Sequence, residues 1–125
     1  MASRPRVLVA EDDEDVRAAF ESVLGERFET RCVGTAEQAV AVAAAWSPDV
    51  ILLDWILPDG SGEDVVRQLR AAEPQLAELP IVVVSGAPSL KELAAAVGAV
   101  PCPKPCDIEQ LTSAIETALA RSKRM

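Results

Sequence analysis

The 125-residue sequence predicts an α/β fold, a five-stranded doubly wound parallel sheet built from five βα units. Short apolar runs of strand length alternate five times with segments whose apolar residues recur at helical spacing. The run "DVILLD" (49–54) is continuously apolar, as a strand covered on both faces is. Capping and turn residues stand at the joints between these segments. Half of the residues are hydrophobic, enough for one core at this length. One domain is therefore expected over 4–121, followed by a basic end at 122–125.

The first unit is the strand "RVLVAE" (6–11) and a helix carried by Val16, Ala19, Phe20, Val23 and Leu24, which Gly25 caps. In the second, "FETRCV" (28–33) alternates like a partly exposed strand. Thr35 and Gln38 form a capping-box pattern opening "AEQAVAVAAAW", which Pro48 closes. The third unit runs from "DVILLD" through the loop "WILPDGSG" to a helix near 63–72 that Pro74 ends. The fourth is "PIVVVS" (80–85), then Ser89 with Glu92 as another capping box, and the helix "LKELAAAV" up to Gly98. The fifth strand, "AVPC", carries Pro101 and is followed by Pro103, so it belongs at a sheet edge. Asp107 and Gln110 cap a last helix with Ile108, Leu111, Ile115 and Leu119 on one stripe.

Twenty acidic against twelve basic residues give a net charge of -8, which disfavours direct contact with nucleic acid or an anionic membrane. No run reaches the ~20 apolar residues of a membrane span, and "MASRPRVLVA" lacks the apolar core of a secretory signal, so a cytoplasmic setting is expected. Histidine is absent, which excludes a Ser-His or Cys-His catalytic pair. Cys32, Cys102 and Cys106 have neither redox nor zinc-ribbon spacing and read as ordinary thiols. The basic end "RSKRM" suits the negative end of a helix dipole better than a severed linker.

Right-handed crossovers bring the loops after all five strands to one edge, and five units fit the order 2-1-3-4-5. Glu11, Asp12 and Asp13 then end strand 1, Asp54 strand 3, Ser85 strand 4 and Lys104 follows strand 5. Asp13, Glu14 and Asp15 fall where a helix begins and are expected to cap and solvate it. Glu11 and Asp12 face Asp54 across the crevice, and three crowded carboxylates raise one another's pKa unless a cation neutralises them. Mg2+ is the expected resident, since it takes one or two carboxylates, waters and a phosphate oxygen.

The acidic pair in "VLVAEDD", the aspartate and proline in "LLDWILPDGSG", the hydroxyl in "VVVSGA" and the Lys-Pro of "PKPCD" occur in that order at strand ends. Together they give a chain that resembles the receiver domain of two-component response regulators, of the chemotaxis-regulator-like superfamily, over roughly Arg4 to Arg121. The resemblance implies the flavodoxin-like form of the fold and supports the 2-1-3-4-5 order as much as the pattern does. It implies that Asp54 accepts a phosphoryl group from a phosphohistidine on a sensor histidine kinase or histidine phosphotransfer protein, and then controls a downstream protein target or output domain. It implies that Asp12 ligates Mg2+ directly, Glu11 mainly through water, and that Asp54 and the Ile56 carbonyl complete the protein's share. Lys104 and Ser85, with Gly86 beside it, would meet the phosphate, and the Lys104–Pro105 bond would be cis. Ile56 and Ala87 would tune the lifetime of the phosphorylated state. Such a domain is a phosphoacceptor and not a turnover enzyme.

Two positions depart from the resemblance: Pro101 stands where many receivers have a switching aromatic, and Cys106 where Phe is frequent. Three other readings fit less well. A Mg2+-dependent phosphatase of the haloacid-dehalogenase type needs a second Asp where Ile56 stands, and a flavin-binding relative needs a phosphate loop that the acidic run would repel. A pseudo-receiver that only binds proteins would have lost the acceptor or the acidic pair, and both are present.

Overall fold

A computed structural model describes residues 4–72 and 74–123. Five parallel strands, β1 (Arg6–Ala10), β2 (Glu29–Val33), β3 (Val50–Asp54), β6 (Ile81–Ser85) and β7 (Val100–Pro103), form a sheet in the order β2-β1-β3-β6-β7. This is the expected 2-1-3-4-5 arrangement, with β1 and β3 side by side at its centre. Helices α1 (Glu14–Leu24), α2 (Ala36–Trp46), α3 (Gly62–Ala71), α5 (Leu90–Ala96) and α6 (Ile108–Lys123) connect and flank the strands. Val7, Val9, Val50, Leu52, Val82 and Val84 point to a cluster with Leu24, Phe28, Leu111, Ile115 and Ala118 on the α1 and α6 side. Their alternate neighbours Leu8, Ala10, Ile51, Leu53, Ile81 and Val83 enter a second cluster under α2, α3 and α5. Both sheet faces are thus buried, which is why β3 and β6 carry no polar residue until their final positions.

Several joints differ from the sequence reading. Ser89 sits at φ -90°, ψ 18° and makes no side-chain cap bond, so the Ser89–Glu92 box does not form. Away from extended backbone, its hydroxyl is not aimed at the helix amides. Thr35 caps α2 by accepting from the Gln38 amide, but the Gln38 side chain turns back to Gly34 N at 3.1 Å, leaving half of the expected box. A full box forms at Ser61 and Asp64 instead, and the Asp107–Gln110 pair is reciprocal at 2.8 and 2.9 Å. The loop after Asp54 contains a small antiparallel ribbon, β4 (Ile56–Leu57) with β5 (Gly60–Ser61). Pro74 follows the end of α3 and opens a single-turn helix, α4 (Pro74–Ala77), where its missing N–H costs nothing.

β7 is an edge strand, as its prolines require. The Lys104 amide donates to Ser85 O at 2.9 Å, so by alternation Cys102 and Val100 also face β6 while the Pro101 and Pro103 nitrogens face the open edge. The prolines therefore remove no bond from the ladder. The basic end expected at 122–125 leaves the described residues after Lys123, as does the start of the N-terminal stretch before Arg4.

Candidate functional site

The strand order sets β1 and β3 together, and the residues that leave their carboxyl ends meet above the sheet. The Glu11 amide extends the ladder by donating to Val33 O at 3.0 Å, and the residue is 3% exposed. Asp54 ends β3 at 9% exposure, and Asp12 is exposed above both. One carboxylate oxygen from each of Glu11, Asp12 and Asp54 lies within 4.8 Å of the others. Lys104 Nζ reaches in from beyond β7, 3.2 Å from Asp54 Oδ2 and 3.4 Å from Glu11 Oε1. The Lys104–Pro105 bond is cis.

Burial raises the Glu11 pKa, and the charge of Asp54 adds to this; the Asp13 amide and Lys104 oppose it. Crowding by carboxylates is thus a smaller cause than the sequence suggested. Burial disfavours the Lys104 ammonium, yet Asp54 and then Glu11 outweigh it and the pKa moves up. Three carboxylates against one ammonium leave two negative charges, the complement of a divalent cation. The all-oxygen donor set suits a hard ion such as Mg2+ and is unlike the nitrogen and sulfur sets of zinc.

Around this cup the other expected residues are spread differently. The Ser85 hydroxyl is buried at the end of β6 and accepts from the Ala87 amide at 3.0 Å, a local turn with no bond to Asp54. Gly86 borders the site, where a Cβ would only touch Lys104 Cβ at 3.9 Å. Ile56 directs its amide to Asp54 Oδ1 at 3.3 Å, while its side chain is 77% exposed. Pro101 pairs with Val83 within the sheet, away from the cup. Trp55 packs partly buried over the second cluster, and the chain passes it closely at Gly62, where a Cβ would lie 2.6 Å from the indole. Asp13 caps α1, its Oδ1 accepting from Asp15 N at 2.9 Å and Val16 N at 3.1 Å, as expected.

Two contributors escaped the sequence reading. Arg17 on α1 turns back and donates from Nη1 to Glu11 O at 2.9 Å and Asp12 O at 3.3 Å, fastening the loop that carries both carboxylates. It passes close over Gly34, where a Cβ would lie 2.5 Å from Nη1 and oblige the guanidinium to shift. Asp59, in the ribbon turn, accepts from Ala36 N at 2.6 Å and Glu37 N at 3.0 Å and so ties the loop after Asp54 to α2. The "PDG" turn signal was visible, but nothing in it marks a distant helix as the recipient.

Comparison with known proteins agrees with this geometry. The response regulator receiver domain model matches residues 7–116. The response regulator protein PilR of Pseudomonas aeruginosa is 31% identical over 121 residues, 94% of this chain and 26% of that protein. The DNA-binding response regulator MtrA of Mycolicibacterium smegmatis is 42% identical over 69 residues, 54% of this chain and 30% of that protein. The chain spans between 26% and 51% of the length of such relatives. The structure of the chemotaxis response regulator CheY4 of Vibrio cholerae superposes with a TM-score of 0.84 at 26% identity, covering 94% of this chain and all of that one. A sensor protein from Polaromonas gives a TM-score of 0.86 at 29% identity, covering 96% and 99%. By sequence over most of its length and by fold, this chain belongs to the response regulator receiver domain family.

Proposed function

We propose that Asp54 is the phosphoacceptor of this receiver domain and takes its phosphoryl group from a phosphohistidine of a sensor kinase or phosphotransfer protein. The observation that carries the reading is the cup itself: a largely buried strand-end aspartate held between two further carboxylates and one lysine, in a chain of this family. An Asp54 carboxylate oxygen attacks phosphorus, the P–N bond of the phosphohistidine breaks, and the imidazole leaves with the electron pair and gains a proton. The product is an acyl phosphate on Asp54. Asp12, Asp54, the Ile56 carbonyl and, through water, Glu11 would hold a Mg2+, which would supply charge neutralisation for the transferring group.

Lys104 is already at 3.2 Å from Asp54 and would pair with a phosphate oxygen once the carboxylate is phosphorylated. The Ser85 hydroxyl accepts from the Ala87 amide and keeps its own proton to donate, so a bond from it to that phosphate would make it a reporter of the modified state. Ile56 and Ala87 carry no group able to orient an attacking water, so the acyl phosphate is long-lived and the domain is not a turnover enzyme. The domain spans 4–121, works in the cytoplasm, and passes its state to a protein target or output domain. Relatives such as MtrA are named DNA-binding, but the acidic balance of this chain disfavours DNA contact by its own surface.

Incubation with a small phosphodonor and Mg2+, followed by mass mapping, tests the reading. One phosphoryl group is expected on the peptide containing Asp54, and none in a folded Asp54→Asn variant. Full labelling of that variant overturns the assignment.

A further inference from the structure

The two edges of the sheet differ in what their backbone offers. On β7 the outward nitrogens belong to Pro101 and Pro103, whereas β2, the other edge, carries no proline. The Glu29 amide donates to Pro5 O at 2.9 Å, and Val33 O accepts from the Glu11 amide at 3.0 Å, so the backbone of Glu29, Arg31 and Val33 faces β1. By alternation Thr30 and Cys32 turn their amides and carbonyls outward, and among the described residues neither amide has a partner. This window closes at both ends. The Phe28 amide is taken by Leu24 O at 2.8 Å and the Gly34 amide by Gln38 Oε1 at 3.1 Å.

The side chains of Glu29 and Arg31 share the sheet face on which α2 lies, but α2 packs on β1 and leaves both exposed. The Arg31 guanidinium stands 4.8 Å over the Trp46 ring and has no ion pair among the described residues. Glu29 has only a long one, 3.7 Å from Arg6 Nε.

We propose that β2 is the contact strand of a homodimer: a second copy lays its own β2 antiparallel to this one, Thr30 opposite Thr30, and continues the sheet through both copies. Two-fold registers that bring outward residues to outward residues are centred on Thr30, Arg31 or Cys32. Centring on Arg31 sets like charges against each other, and centring on Cys32 sets Arg31 against Val33. Centring on Thr30 puts the Arg31 of each copy opposite the Glu29 of the other, in non-hydrogen-bonded pairs whose Cα atoms stand about 4.5 Å apart. Each Thr30 then exchanges both backbone bonds with its mate, and each Cys32 amide meets a Phe28 carbonyl. Charges on an edge strand ordinarily deter such pairing. Here they are of opposite sign two residues apart, so a reversed copy satisfies them. The window thus supplies both halves of the contact, which commits it to a second copy.

Sedimentation equilibrium at about 0.15 M salt, where the net charge of -8 is screened, tests this on the unphosphorylated protein, so the outcome is independent of Asp54. The mass should climb with concentration from that of one chain toward that of two. Over the same range amide exchange should slow at Thr30 and Cys32 and stay unchanged at Glu29 and Arg31, whose amides already face β1. Arg31→Glu and Glu29→Arg should each weaken association about tenfold or more, two attractive cross-strand pairs having become repulsive. An equimolar mixture of these two variants should restore it, since each chain then presents one sign to the other. Thr30→Pro, which removes an outward donor and no inward one, should also leave single chains, with circular dichroism showing that they are folded. Single chains of the parent at every concentration, a dimer that survives all three substitutions, or a mixture no tighter than its components overturns the inference. A dimer that Arg31→Glu breaks and Glu29→Arg leaves intact is centred on Arg31 and overturns the pairing.

Discussion

Arg17 places a positive charge behind the acidic run without entering it. Its guanidinium holds the carbonyls of Glu11 and Asp12, so it fixes where their side chains start and offsets part of their mutual repulsion. Groups that orient ligands from behind contribute about 10-fold or more to metal affinity. Arg17→Met should therefore weaken Mg2+ binding on the order of tenfold while thermal unfolding shifts little. Gly34→Ala, which displaces the guanidinium, should produce part of the same loss. Trp55 fluorescence should follow the titration, and unaltered affinity in both variants would remove Arg17 from the site. The carboxylates, Ser85 and Lys104 were legible because strand-end side chains of those types stand out against apolar runs. Arg17 was not, because it acts on backbone carbonyls, and any residue offers those.

Between elements, the strongest new connection is Asp59, which joins the ribbon after β3 to the first turn of α2. The Ala36 and Glu37 amides lower its pKa below the ordinary 3.8, with a small opposing contribution from burial. A carboxylate with a depressed folded-state pKa adds stability that is present above the unfolded value and lost as pH falls through the folded one. Asp59→Asn should thus unfold at lower urea than the parent at neutral pH, and the gap should close below pH 3.8. A gap that persists unchanged in acid would mean the charge is not what matters. The five principal helices and five sheet strands were legible from period and caps. The ribbon and α4 were not, being too short to show a period, and the Ser89–Glu92 pattern misled because capping depends on backbone angles that four letters do not specify.

Across the whole molecule, the sheet separates two apolar clusters and brings Glu11, Asp12, Asp54 and Lys104 together at one rim, so a change at Asp54 would have two routes outward. One passes through Ser85 and the loop to α5, the other through Lys104 to β7 and α6. Pro101 has no ring that can swing between buried and exposed positions, which leaves the second route without an aromatic lever. Amide exchange with and without a phosphoryl mimic and Mg2+ should change strongly at 11–13, 54–60 and 85–90, and weakly at 100–103 and 108–120. A large cooperative change over 108–120 would show that another residue supplies the lever. The outward-facing nitrogens of Pro101 and Pro103 reach further than signalling. With carbonyls but no hydrogen to offer at these two positions, that side of the sheet is a poor template for an added strand, whether from a second copy, a swapped segment or a growing fibre. A partner approaching there gains more from side chains than from the backbone, which can return only half of the bonds a new strand needs.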